Sequence, residues 1–121
     1  MHRTLAILAM TAFAALPAIA EEFVKVSDEA AFLSLLDGRE LRLGVVGLSI
    51  AVNPDGSIVG TAAGFPITGN WTWQDGFFCR DLDWSGTVIP YNCQLVEARG
   101  TDAMRFTVDQ GAGDAAEFNL R

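Results

Sequence analysis

Residues 69–81 read GNWTWQDGFFCRD, and the fold turns on the Asp-Gly pair at their centre. Asp75-Gly76, set between alternating apolar and polar residues, is the signature of a two-residue β-hairpin loop, which favours residues that tolerate positive φ. Such a turn sets a register in which Trp73 faces Phe78, Thr72 faces Cys79 and Trp71 faces Arg80. Side chains alternate across a strand, so Trp71, Trp73, Phe78, Arg80, Leu82 and Trp84 share one side. Asn70, Thr72, Gln74, Cys79, Asp81 and Asp83 share the other. The first side is apolar apart from Arg80, so most of the aromatic cluster belongs to a core.

The same period of two extends on both sides of this hairpin. Downstream, YNCQLVEA (91–98), AMRFTV (103–108) and AAEFNLR (115–121) read as strands separated by the turn-rich RGTD and DQGAGD. Upstream, LRLGVVGLSIAV (41–52) changes parity beside Gly44 and Gly47, which predicts a bulge or a break between two short strands. NPDG is a turn, SIVGTAA returns as a strand of small residues, and GFP bends the chain into the hairpin. Earlier still, SDEAAFLSLLDG (27–38) is a helix. Ser27 can cap it, Asp28 and Glu29 suit its first turn, Gly38 suits its stop, and Phe32, Leu35 and Leu36 form its apolar stripe. The expected fold is mainly β (α+β), an N-terminal helix followed by an antiparallel meander of about seven short strands, as a small barrel or a strongly bent sheet.

The chain start reads differently. MHR is a short basic opening, TLAILAMTAFAAL is apolar but too short to span a bilayer, and PAIA puts Ala18 and Ala20 at a cleavage site. Residues 1–20 are therefore expected to be a signal peptide, and residues 21–121 a single disulfide-stapled β domain in the bacterial periplasm or secreted beyond it. No membrane insertion is expected after cleavage. The chain carries a net charge of −7, and losing Arg3 with the leader makes the remainder more acidic still. That sign repels nucleic-acid backbones and anionic lipid.

In an oxidising compartment Cys79 and Cys93, the only cysteines, read as a disulfide. The bond would close a loop of about 15 residues, worth about 3 kcal/mol in the chain-entropy model. Zinc is a poor alternative, because two cysteines without a histidine leave its coordination incomplete.

The only histidine, His2, leaves with the leader. Without an imidazole no Ser-His-Asp or Cys-His arrangement can form, and any enzyme chemistry would fall to carboxylates, Lys25, Tyr91 or a bound cofactor. Asp81 and Asp83 share a strand face, where paired carboxylates can serve glycoside hydrolysis or a hard metal, though a solvated face is the plainer reading. Asp109 and Asp114 in DQGAGD lack the alternating oxygen ligands of a calcium loop and read as a turn. No metal or cofactor is expected. GVVG and GAG are too short for a dinucleotide fingerprint. Arg80 is the residue of interest, since a guanidinium among tryptophans needs a partner or an aromatic face. It could hold an anionic ligand in a barrel mouth, or stack at the sheet rim beside Trp71 and pair with an acid. Arg80, Trp71, Trp73 and Trp84 are the candidate ligand-binding residues, with the tryptophans also readable as core.

ITGNWTWQDGFFCRDLDW, YNCQLVEARG and RFTVDQGAGDAAEFNLR together resemble a group of short exported alphaproteobacterial proteins that often carry the label dihydrodipicolinate reductase. The resemblance covers nearly all of residues 21–121 and implies an exported protein. The reductase family of that label has a Rossmann domain, a Gly-rich loop and a histidine-containing motif; no position here matches them, so no catalytic residue carries over. Three readings follow. The first is a non-enzymatic periplasmic binding or accessory protein for a small ligand. The second is an inhibitor or envelope-stress partner of a periplasmic enzyme. The third is the reductase itself.

Overall fold

A computed structural model describes residues 22–121; the expected signal peptide lies outside the described residues. The central hairpin consists of β5 (Phe65–Gln74) and β6 (Phe77–Trp84). Asp75 and Gly76 take φ of 54° and 84°, the positive pair that a type I′ turn requires. Trp73 pairs with Phe78, Thr72 with Cys79 and Trp71 with Arg80, as the turn predicts.

Around this hairpin the chain forms a closed barrel. The other strands are β1 (Val24–Lys25), β2 (Leu41–Leu43), β3 (Leu48–Val52), β4 (Ser57–Ala62), β7 (Thr87–Arg99), β8 (Ala103–Thr107) and β9 (Ala115–Leu120). Their order is β1-β7-β6-β5-β4-β3-β2-β9-β8, and a β7–β8 pairing closes the ring on eight strands. Every pairing is antiparallel. Closure leaves no long edge to recruit another chain. β7 is long enough to serve several neighbours: Thr87 to Gln94 pair with β6, Leu95 to Arg99 with β8, and Glu97 and Ala98 with β1.

The count of nine strands exceeds the sequence expectation because β1 is only a two-residue pairing and the parity break at Gly44 separates two strands fully. That break is a 3-10 turn, Gly44–Val46, followed by Gly47 at φ 60°. It returns the chain so that Leu41 pairs with Ile50 and Leu43 with Leu48, while Val45 and Val46 are left exposed.

The helix α1 (Glu29–Leu36) follows β1 and stoppers one end of the barrel. Asp28, rather than Ser27, is the N-cap, its carboxylate accepting the Ala31 N–H at 2.8 Å. Phe32 and Leu36 are buried. The Phe32 ring, 0 % exposed, lies 5.6 Å from Trp71, 5.1 Å from Trp73, 5.2 Å from Phe78 and 6.3 Å from Phe106. These are offset and edge-on aromatic contacts, which add to the area term of burial.

The Cys79–Cys93 disulfide is present. The two residues are directly opposed in the β6–β7 ladder, with Cys79 1 % exposed. The bridge therefore ties neighbouring strands beside the hairpin.

Two consequences are measurable. Phe32→Ala removes the ring on which four aromatic side chains converge and should lower unfolding free energy by about 3–5 kcal/mol in denaturant titration, while Ser27→Ala, beside the true cap, should be close to neutral. Acid should also destabilise the fold. Hydrogen bonds from Ser49 and then Arg42 hold the Glu40 carboxyl below its ordinary value of 4.5. The Ser57 hydroxyl and backbone N–H do the same for Asp55, whose ordinary value is 3.8. Both folded-state pKa values are depressed, so the stability they confer is complete above these ordinary values and is lost as pH falls through the lowered ones. Melting temperature should decline in that acid window, and less steeply in Glu40→Gln with Asp55→Asn.

Candidate functional site

The inward-facing residues differ in size along the barrel. At the helix end they are Trp71, Trp73, Phe78 and Phe106, closed by Phe32. Towards the other end the inward positions on β4 and β5 include Gly60, Ala62 and Gly69, and Ala116 of β9, an exposed residue, lines the open side of the barrel cavity. A Cβ on Gly60 would stand 2.1 Å from the Ser49 carbonyl oxygen, and one on Gly69 would stand 2.2 Å from that of Asp81. The strands approach too closely there for any side chain.

The barrel holds a cavity of about 310 Å³. Phe78 and Phe106 line it from the plugged end, and Leu48, Ile50, Ile58 and Leu82 contribute to its walls. Three polar side chains join them: Arg80, Gln94 and Asp114. An apolar hollow with a few inward polar groups is the usual form of a small-molecule site.

Arg80 owes its setting to a bulge. Asn92 pairs with Arg80 but Ile89 pairs with Leu82, so three steps along β7 oppose two along β6. Pro90, which has no N–H for a ladder, is accommodated in this irregularity. Its carbonyl accepts one hydrogen bond from Arg80 Nη1 at 2.8 Å. Arg80 makes no ion pair with any described residue. Burial lowers its pKa, and the neighbouring Asp81 opposes that shift; a guanidinium remains a cation throughout.

Gln94, 7 % exposed, faces inward opposite Phe78. It lines the cavity, and among the described residues no fully buried side-chain N or O atom is left without a partner, so its amide opens onto that space. Asp114 is solvent-exposed at the rim.

Of the four candidate binding residues, only Arg80 lines the cavity. Trp71 is core: it is 4 % exposed, and its Nε1 donates to the Asn53 carbonyl at 2.8 Å. Trp73 packs on Phe32. Trp84 stands at the far end of β6, 37 % exposed, with Nε1 donating to the Ala62 carbonyl at 3.1 Å. Gln94 and Ala116 were not singled out by sequence. The signal for Gln94 was present, since it shares its strand face with Val96 and Ala98, both buried.

The carboxylates weighed for chemistry have local partners. Asp81 Oδ1 accepts the Asn70 N–H at 3.1 Å, and Asp83 Oδ1 accepts the Gly86 N–H at 2.8 Å. Asn92 and Asp109 exchange two hydrogen bonds, at 2.8 and 3.0 Å, that clasp the DQGAGD loop against β7. Among the described residues no three His, Cys, Asp or Glu side chains converge as a metal site, and no helix is long and apolar enough to cross a membrane.

No family model matches this chain, and no curated protein or solved structure matches it at a significant level.

Ala116 pairs with Phe106 and lines the cavity while remaining exposed, so a larger side chain there covers the space from its open side. Ala116→Leu should retain the far-ultraviolet spectrum and gain roughly 0.5–2 kcal/mol of stability, as cavity-filling changes commonly do. A loss of stability in denaturant titration would instead mean that the wall is already packed.

Proposed function

We propose that this protein is a non-enzymatic binding protein of the bacterial periplasm or exterior, carrying a small, largely apolar ligand inside the barrel. The observation that carries the reading is the 310 Å³ apolar cavity with Arg80 and Gln94 facing into it. A disulfide is consistent with an oxidising compartment. The exported form would also lack His2, and with it the commonest acid–base side chain at neutral pH. Lys25 and Tyr91 are not among the cavity residues.

A second reading, docking onto a periplasmic enzyme, draws on the exposed apolar residues Val45, Phe65, Trp84 and Val88. The cavity combines an apolar lining with inward polar groups, which ranks this second reading below it. The reductase implied by the resemblance would need a parallel, helix-flanked nucleotide domain; a wholly antiparallel barrel speaks against it.

A thermal-shift screen of small neutral apolar compounds against the purified domain tests the main reading. A ligand at about one hundred times its Kd adds about 2.7 kcal/mol to a native state that alone binds it. Binders should raise the melting temperature and shift the methyl resonances of Ile50 and Ile58, and both effects should vanish in Ala116→Leu. A partner docked on the rim would bind that variant as well as the wild type. A screen with no shift at the cavity methyls would overturn the reading.

A further inference from the structure

We propose that the cavity selects an amphiphilic monocarboxylate, its carboxylate held by the Arg80 guanidinium and the Gln94 amide and its apolar body lying against Ile50, Ile58 and Phe106. This rests on the ligand-binding reading above and adds the ligand's chemistry to it.

Arg80 supplies the charge. A guanidinium has five N–H donors in a rigid plane, and the Pro90 carbonyl takes one of them. No described carboxylate lies within ion-pairing distance of Arg80, so a half-buried cation carries its desolvation cost without a protein counter-ion. An anion entering the cavity would offset that cost, and a carboxylate matches the guanidinium fork in a bidentate pair.

Gln94 is the independent observation. Gln94 is 7 % exposed overall and lines the cavity; among the described residues no fully buried side-chain N or O atom lacks a partner, so its amide opens onto the cavity and is not sealed in the core. An amide that opens onto an apolar cavity offers an entering head group both a donor and an acceptor. Gln94 also stands beside Arg80 in the sheet. Arg80 pairs with Asn92, and Gln94 is two residues along the same face of β7. Diagonal neighbours of this kind are within reach of long side chains, so the two can converge on one head group.

The charge count selects the head group. One cation and one neutral amide balance a single negative charge, whereas a dianionic phosphate would leave a charge unpaired beside Phe106 and Ile58. Asp114, the other charged residue of the lining, is exposed at the rim, where solvent and salt screen it. The cavity of 310 Å³ has room for about ten water-sized groups at ~30 Å³ each. That corresponds to a medium-length chain or a single substituted ring.

Calorimetric titration of the mature domain with octanoate, octanol and octyl phosphate distinguishes the head groups. Octanoate should bind at least about tenfold tighter than octanol, the scale of one charge-assisted contact, and tighter than octyl phosphate. Arg80→Met keeps the apolar stem and should abolish that preference while octanol binding persists, which also reports that the variant folds. Arg80→Lys should retain part of the preference, and Gln94→Leu should weaken octanoate severalfold without changing octanol. Equal binding of octanoate and octanol, or tighter binding of the phosphate, would overturn the monocarboxylate inference and leave the cavity reading standing. If none of the three binds, both fall.

Discussion

The Asp75-Gly76 turn locks β5 and β6 in register, and a slip of one residue would send Trp71, Phe78 and Arg80 out to solvent. Positive φ at both turn residues gives the twist that lets the two strands continue as a ribbon. With the register held, Trp71, Trp73 and Phe78 meet Phe32 from the helix, and the helix has a reason to lie across that end of the barrel. The disulfide reinforces the same arrangement from the outer face, linking β6 to β7 one residue from Arg80.

Unequal filling of the barrel follows from side-chain volume. Four rings around Phe32 consume the space at the plugged end. Gly60 and Gly69 are required where strands nearly touch, while the cavity itself is walled mainly by Leu48, Ile50, Ile58, Leu82 and Phe106. A barrel of eight strands has an interior just wide enough for side chains to fill it, or to hold one small ligand. Here the aromatic end is the filled case, and the cavity beside it, walled mainly by Leu, Ile and Phe side chains, is the ligand-sized space.

Arg80 stands at the boundary between the two. Phe78 precedes it on the inward face and contacts the plug; Leu82 follows it and lines the cavity. The β7 bulge turns Pro90 so that its carbonyl can anchor one guanidinium nitrogen. One neutral acceptor orients the group without cancelling its charge, and Gln94 adds an amide on the neighbouring strand. A folded core has little use for such polarity, whereas a site that must recognise a head group inside an apolar hollow needs it.

Local chemistry made much of this legible in advance. The hairpin register, the helix, the strand break near Gly44, the inward aspect of Arg80 and the Cys79–Cys93 pairing all depend on neighbouring residues or on one short turn. The tryptophans show where that reasoning stops. Alternation put Trp71, Trp73 and Trp84 on one face, but that face spans the plug, the interior and the rim. Their depth along the barrel axis separates them, and depth is set by strands remote in sequence.

The residues of chain 41–121 by themselves determined which side chains point inward, because period-two alternation and an Asp-Gly turn are local constraints. Tertiary structure alone decided that β7 meets β8 to close the ring, that the helix stoppers one end, and that Arg80, Gln94 and Ala116 surround one unfilled volume. Closure and void both arise from how inward side-chain volumes add up across eight strands, a sum that no single stretch of sequence contains.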